Sequence, residues 1–462
     1  MSTVAELFAD ARARWADRPA LRTRTSTGWI TRTWADWFDA SRAVALALSD
    51  LGVPRGGRVA LLARPRREAA ELALAASLAG ASLVTLPSRA PDDVVEGLLR
   101  ASGASVLVLD DPAGLSRLFT AAKGPRALRE GARSLRRVVM FDARAPRDPR
   151  RFEDVAPLAE RSRVMKWSEL AAAGRRLLDR ATEFDPASVC APDDVAARVH
   201  TAGRSGAPRL VELTHGQLVA SVEALAGAIS LGPDDEQLAV ISLSSVFGLS
   251  QLVTAVRCGV STSFADPEAA PETQIAEVNP TLLAAPPSFF DRLRDVSLAH
   301  LQSEGRVRRA LVDEALAVGQ RVAAKARRAE ELGVILKAEH RAARALALDA
   351  LRHRLAGARM RFALSTGAPL ARAVGEWFEA CGVRVFEGYG LAEAGGLTHV
   401  ERPDACRAGT VGRALPGVET TIEGGEVVLR GPMIRGALRT GDAGSVDADG
   451  YLTITGRLSK RA

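Results

Sequence analysis

Lysine is almost missing from this chain: five residues in 462, against 57 arginines. Arginine keeps its proton near neutral pH, so few side chains remain that could serve as a lysine base or compact phosphate clamp. Cysteine is equally scarce. Cys190, Cys258, Cys381 and Cys406 lie far apart, with no C-x-x-C pair and no histidine at metal-ligand spacing. A disulfide framework and a zinc site are therefore not expected; the four thiols read as small buried hydrophobes, and a reduced, cytoplasmic setting fits best. Aromatic residues make up 5% of the chain, too few for the stacking platforms of single-stranded nucleic-acid binders. A net charge of +7 and a pI near 9.7 would suit an anionic partner. Because Asp and Glu are interleaved with the arginines, the expectation is a solvated surface with no nucleic acid and at most peripheral membrane contact. No run is apolar enough to span a bilayer: the longest uncharged stretch, Gln237 to Val256, carries serines, glutamines and a threonine. The opening residues place Glu6, Asp10 and Asp17 among apolar positions, an amphipathic helix and not a signal peptide.

What remains has ordinary globular balance, 47% hydrophobic and 25% charged with a mean hydropathy of +0.02, and is too long for one simple core. Residues 1 to about 122 alternate two periods. "TRTWADWFDASRAVALALSDLGV" has helical spacing and stops at Gly52, "RVALLA" reads as a strand, "REAAELALAASLAGA" as a helix, "SLVTLP" and "SVLVLDD" as strands. Strands separated by helices of this length imply a parallel sheet covered on both faces. From Lys123 to Trp167 arginine and proline surround one apolar run, "RVVMF", which predicts a surface excursion with a single strand. The alternation resumes with "VAARVHT", "LVELT", a helix from Gly216 to Ser230, "LAVISL", a helix through Gln251 to Arg257, and "TLLAAP". Leu298 to Leu355 is helical in composition, and Gly305, Gly319 and Gly333 predict breaks into two or three helices. The last part turns glycine-rich with short strands, "VETTIEG", "GEVVLRG" and "YLTITG", the pattern of a small antiparallel sheet or barrel. The expected organisation is one α/β sub-domain over residues 1–190 with the excursion at 123–167, and a second over 191–400 with a helical insertion at 298–355. A β-rich part follows over 401–462.

"HTAGRSGAPRLVELTHGQL", His200 to Leu218, has the outline of a phosphate-binding loop, but it fails the pattern G-x-x-x-x-G-K-[ST] and alone is an ordinary turn between strands. Its company changes that. Further along stand "AEVNPTLLAAPPSFFDRL" from Ala276, "STGAPL" from Ser365, "EGYGLAE" from Glu387 and "RTGDAGSVDADGYLTITGR" from Arg439. In order and spacing these segments resemble the adenylate-forming, AMP-binding superfamily, specifically its long-chain fatty acyl-CoA synthetase branch, from about Thr3 to the last residue. The resemblance implies two doubly wound α/β sub-domains packed together, plus a small distorted β-barrel. It also implies a site for ATP, Mg²⁺ and a fatty acid or other acyl carboxylate, with coenzyme A as the usual acceptor thiol.

Carried residue by residue, the resemblance assigns Thr201, Gly203, Ser205 and Gly206 to the phosphates. Thr366, Gly367 and Ala368 form one wall of the adenine slot and Tyr389 the other, within the motif residues Glu387, Gly388 and Gly390. Asp442 takes the ribose hydroxyls with Arg457 nearby, and Glu393 holds the metal. Glu393, Arg209 and Thr201 make up the implied catalytic set. The departures cluster at phosphate and acyl contacts. Ala202 and Arg204 replace hydroxyl residues, Arg209 stands for a lysine, Ala392 for the threonine of Y-G-x-T-E, and Ser245 for a histidine or aromatic residue. The family also continues past the hinge at "GRLSKRA" into a mobile lid of roughly 100 residues, which this sequence does not contain. Two further readings are therefore set beside a fatty acid:CoA ligase. One is a non-catalytic relative that binds nucleotide or acyl chain as a sensor or interaction protein; the other is a site completed by a separate polypeptide or in a homo-oligomer.

Overall fold

A computed structural model describes residues 2–110, 114, 117, 118, 134–141, 164–180, 184–201, 208–266, 269–303, 305–328 and 330–458. Two mixed sheets carry the architecture. The first has seven strands, ordered Val164–Lys166, Arg137–Met140, Val106–Leu109, Arg58–Leu62, Ser82–Thr85, Val195–Thr201 and Arg209–Thr214. All but the last run parallel. Ser82–Thr85 and Val106–Leu109 are buried at every position, as strands covered by helices on both faces must be. The "RVVMF" run forms the expected strand, Arg137–Met140, with Val139 fully buried, but a second strand, Val164–Lys166, pairs beside it; residues 123–133 and 142–163 of the expected excursion lie outside the described residues.

The second sheet has nine strands, ordered Arg413–Ala414, Gly396–Val400, Val385–Leu391, Phe362–Thr366, Leu282–Ala285, Glu236–Leu238, Ser261–Phe264, Pro19–Thr25 and Gly28–Thr33. The six from Val385–Leu391 to Pro19–Thr25 run parallel. The two sheets exchange hairpins. The early hairpin Pro19–Thr33 completes the nine-stranded sheet through the register Leu21 to Thr262, and the hairpin Val195–Thr214 completes the seven-stranded one through Leu83 to Ala197. The glycine-rich end forms a four-stranded antiparallel sheet, Glu419–Glu423, Glu426–Arg430, Leu438–Val446 and Leu452–Arg457.

Side-chain bonds knit these layers. Thr214 caps the helix His215–Ala228 in a capping box with Gln217, and the same Gln217 donates through Nε2 to the Met433 carbonyl at 3.2 Å. His215 is buried and accepts the Val4 NH at 3.3 Å. Burial lowers its pKa to about 4 and keeps the ring neutral. The Thr214–His215 pair, read from the sequence as part of a phosphate motif, thus caps a helix and anchors the N-terminus. "LAVISL" forms a strand only to Leu238. Beyond it the chain leaves the sheet to meet the first lobe, where Ser242 donates to the Ala63 carbonyl and Thr85 donates to that of Ser244, both at 3.2 Å.

The helical insertion comprises Pro287–Ser303, Arg306–Arg327 and Val334–Ala343, the last continuing through a π turn into Asp349–Ala356. Gly305 and Gly333 precede helices as expected, but Gly319 interrupts nothing. It is there for space, because a Cβ would lie 2.1 Å from the Ala380 carbonyl oxygen.

Candidate functional site

A cavity of about 1030 Å³ is lined by residues of both mixed sheets and of the four-stranded one. Three elements build its walls. The strand Phe362–Thr366 delivers a turn whose Gly367 has φ +91°, a conformation open to glycine. A Cβ there would stand 3.7 Å from the Phe247 ring, in ordinary contact, so the backbone conformation and not space calls for glycine. The strand Val385–Leu391 runs alongside, with Ser365 opposite Glu387 and Thr366 opposite Gly388. On its other edge Gly396–Val400 approaches so closely that a Cβ on Gly390 would stand 2.1 Å from the Gly396 oxygen. Tyr389, the residue before Gly390, lines the cavity together with Gly367 and Ala368.

The third wall comes from the four-stranded sheet, where Asp442 pairs in register with Arg457. Tyr389 Oη donates to Asp442 Oδ2 at 2.6 Å, and Arg457 Nη1 donates to Asp442 Oδ1 at 2.7 Å. Burial, reinforced by the Asp442 charge, raises the Tyr389 pKa, so the phenol remains a donor. Asp442 is thus held from both sides with its carboxylate at the cavity wall.

At the opposite end Thr201 closes the strand Val195–Thr201, and Glu393 sits on the short 3₁₀ turn Ala392–Ala394. Arg209, the first residue of the return strand, donates from Nη2 to Glu393 Oε1 at 2.6 Å. Among the expected residues, Thr201, Gly367, Ala368, Glu387, Gly388, Tyr389, Gly390, Glu393, Asp442 and Arg457 all line this one cavity. Thr366 instead lines a smaller apolar pocket of about 80 Å³ behind Phe247, with Leu225, Ile229, Leu282 and Leu364. Phe247 borders both spaces. Ser245 stands at the cavity edge, where its Oγ caps the helix Val246–Cys258. Gly203, Ser205, Gly206, Ala202, Arg204 and Lys460 lie outside the described residues.

Sequence reasoning missed Glu401. It follows the buried strand Gly396–Val400, is itself buried, and lines the cavity. Its carboxylate accepts the NH groups of Glu387 and Arg407, each at 3.1 Å, while Glu387 accepts the Leu370 NH at 3.1 Å. Two carboxylates in series therefore fix the turn after Thr366 and the loop that closes the slot. Burial raises the Glu401 pKa to about 7, with the nearby Glu387 charge adding to the shift, and burial also raises that of Glu387. Its sequence context, after "GLTHV" with a threonine and a histidine, gave no local signal of the acid's burial.

Among the described residues, no three His, Cys, Asp or Glu side chains form a metal cluster. Mg²⁺ does not need one, since it is usually held by one or two carboxylates together with substrate phosphates. Glu393, a single carboxylate at the cavity wall whose Oε1 accepts from Arg209, fits that mode.

The AMP-binding enzyme family matches residues 8–438. The chain belongs to that family. It is 27% identical over 461 residues to the long-chain-fatty-acid–CoA ligase FadD15 of Mycobacterium tuberculosis, covering 93% of this chain and 70% of the relative. It is 24% identical over 495 residues to ACSBG2 of Rattus norvegicus, also a long-chain-fatty-acid–CoA ligase, covering 99% and 70%. The inhibitor-bound N-terminal domain of FACL13 from Mycobacterium tuberculosis superposes with a TM-score of 0.69 at 21% identity over 99% of this chain and all of that one. The anthranilate CoA ligase AuaEII in complex with anthranoyl-AMP gives 0.70 at 19% identity, over 99% and 77%. Both structures share the doubly wound fold of this AMP-binding chain.

Proposed function

We propose that this chain works as a fatty acid:CoA ligase that uses ATP to activate an acyl carboxylate. One observation carries the reading: Tyr389, the Gly367–Ala368 turn and Asp442 line a single cavity, and Phe247 borders both that cavity and an apolar pocket. Adenosine would lie between Tyr389 and the turn, with its ribose hydroxyls donating to Asp442. The acyl chain would enter past Phe247, which leaves its carboxylate near Ser245 and Thr201. An oxygen of that carboxylate attacks the α-phosphorus, the bond to the bridging oxygen breaks, and pyrophosphate leaves with the electron pair. The thiolate of coenzyme A then attacks the acyl carbon and displaces AMP. Catalysis of this kind rests on alignment and charge stabilisation. Arg209 supplies a fixed positive charge beside the phosphates, and Glu393 would hold Mg²⁺, which when bound neutralises phosphate charge. The named relatives favour this ligase reading over a non-catalytic one. No helix among the described residues is long and apolar enough to cross a membrane, and a cytoplasmic location is part of the proposal. The test is exchange of labelled pyrophosphate into ATP, driven by fatty acids of graded length. Exchange that depends on the acid is expected, and none at any length would remove the reading.

A further inference from the structure

The helical insertion ends in a surface that its own fold does not explain. Val334, Ala338, Ala342 and Leu346 recur every fourth residue along Val334–Ala343 and the π turn after it, with Ile335 and Ala345 beside them. All six are exposed, Val334 at 84%, Ile335 at 77% and Leu346 at 68%. Ala343, Ala347 and Leu348 occupy the opposite side and are buried, so the element already has its core contacts. Among the described residues, four exposed large apolar side chains surpass 60% exposure, and all four lie on this insertion, the fourth being Val307 at 77%. A stripe of this kind facing water calls for an occupant.

Charge identifies it. Between Arg306 and Arg354 there are twelve lysines and arginines against six acidic residues, a net +6 within a chain whose total is +7. Some of these cations are committed, Arg321 to Glu339 and Arg344 to Asp349. Among the described residues, Arg306, Arg309, Lys337 and Arg341 enter no ion pair, and all four are exposed. Lys337 and Arg341 border the apolar stripe, one turn apart. Apolar side chains flanked by unpaired cations match the boundary layer of a bilayer, where acyl tails lie beneath anionic headgroups. A protein partner of low charge would leave the cations unanswered.

We propose that this helical face docks the protein on the surface of an anionic lipid bilayer. The inference is separate from the ligase reading, because docking needs neither nucleotide nor acyl substrate. It is tested by co-sedimentation of the whole chain, free of ligands, with vesicles of phosphatidylcholine alone or with about one third phosphatidylglycerol. Binding to the anionic vesicles is expected, weakening at least about tenfold when salt shortens the screening length from about 10 Å to about 4 Å. The double variants Ile335→Asp/Leu346→Asp and Lys337→Glu/Arg341→Glu should each lower the partition constant by about tenfold or more. Ile422→Asp, on the four-stranded sheet, should leave it unchanged. Every altered side chain is exposed, and thermal unfolding of each variant confirms that the fold is intact. Failure of the wild-type chain to bind anionic vesicles overturns the proposal, as does binding indifferent to both double variants. A dimer in analytical ultracentrifugation that Ile335→Asp/Leu346→Asp dissolves would assign the face to a second copy and overturn it equally.

Discussion

Asp442 shows how a few atoms set the chemistry of a slot. Its two oxygens are engaged by Tyr389 and Arg457, so removing the carboxylate loses the ribose acceptor and takes from the half-buried Tyr389 hydroxyl its acceptor, while Arg457, which is exposed, keeps its bond to the Thr440 carbonyl. Each bond to a charged group contributes about 1.5–3 kcal/mol. Asp442→Ala is accordingly expected to weaken AMP binding by roughly 10- to 100-fold in calorimetry, and an unchanged affinity would separate this residue from the nucleotide. Glu401 acts through pH. Its folded pKa, about 7, lies above its ordinary 4.5, so the acid form is favoured by folding. Its contribution is full below 4.5 and is lost as pH rises to 7. The loss amounts to about 3 kcal/mol, from about 1.4 kcal/mol per unit of pKa. Glu401→Gln should therefore gain on the wild type steadily between pH 4.5 and 7 in urea unfolding, and the gap should stay level above that range. A constant difference across the whole range would show that this carboxyl does not titrate on folding.

At the scale of elements, close approach matters more than propensity. Gly319 looks like a helix breaker in the sequence, yet it sits inside Arg306–Arg327 because that helix rests on the Ala380 carbonyl. The helix it touches, Arg372–Ala380, follows directly on the Gly367–Ala371 wall. Gly319→Ala is expected to cost about 1–3 kcal/mol by overpacking, seen as a lower urea midpoint. AMP affinity should fall with it as the wall shifts. The same distinction decides what the sequence disclosed. Buried apolar runs such as "SVLVLDD" and short glycine-flanked ones such as "YLTITG" carry their structure locally, and the motifs around Tyr389, Gly367 and Asp442 carry their residue types. The Arg209–Glu393 pair and the Glu401–Glu387 series do not show in any local pattern. Their partners lie 184 and 14 residues apart, joined only by the meeting of strands. "LAVISL" misled for a related reason: an apolar run predicts burial, and burial here is against the other lobe and not within a sheet.

For the molecule as a whole, the exchange of hairpins between the two sheets is decisive. Each half of the chain lends the other an edge, so a cut near residue 190 would remove Pro19–Thr33 from the nine-stranded sheet and Val195–Thr214 from the seven-stranded one. Arg22 and Arg359 also converge on Glu236, whose side chain is 9% exposed, and removing Arg22 would leave that acid short of charge. Residues 191–462 expressed alone should consequently be insoluble or open to limited proteolysis, and adding residues 1–190 in trans should restore protection. A protected, soluble 191–462 fragment would show that the borrowed edge is dispensable. No amount of periodicity could have revealed this arrangement, because a strand's pattern states which face it buries and is silent about its neighbour.

That exchange also imposes an order of events at the ribosome. Leu21 must wait for Thr262, about 240 residues later, which at roughly 5–20 residues per second is a delay on the order of 10–50 s. Throughout it the nascent hairpin presents a strand edge with no mate, the state most exposed to stray pairing with other chains. Productive synthesis therefore depends on something shielding the first thirty-odd residues until the middle of the chain emerges.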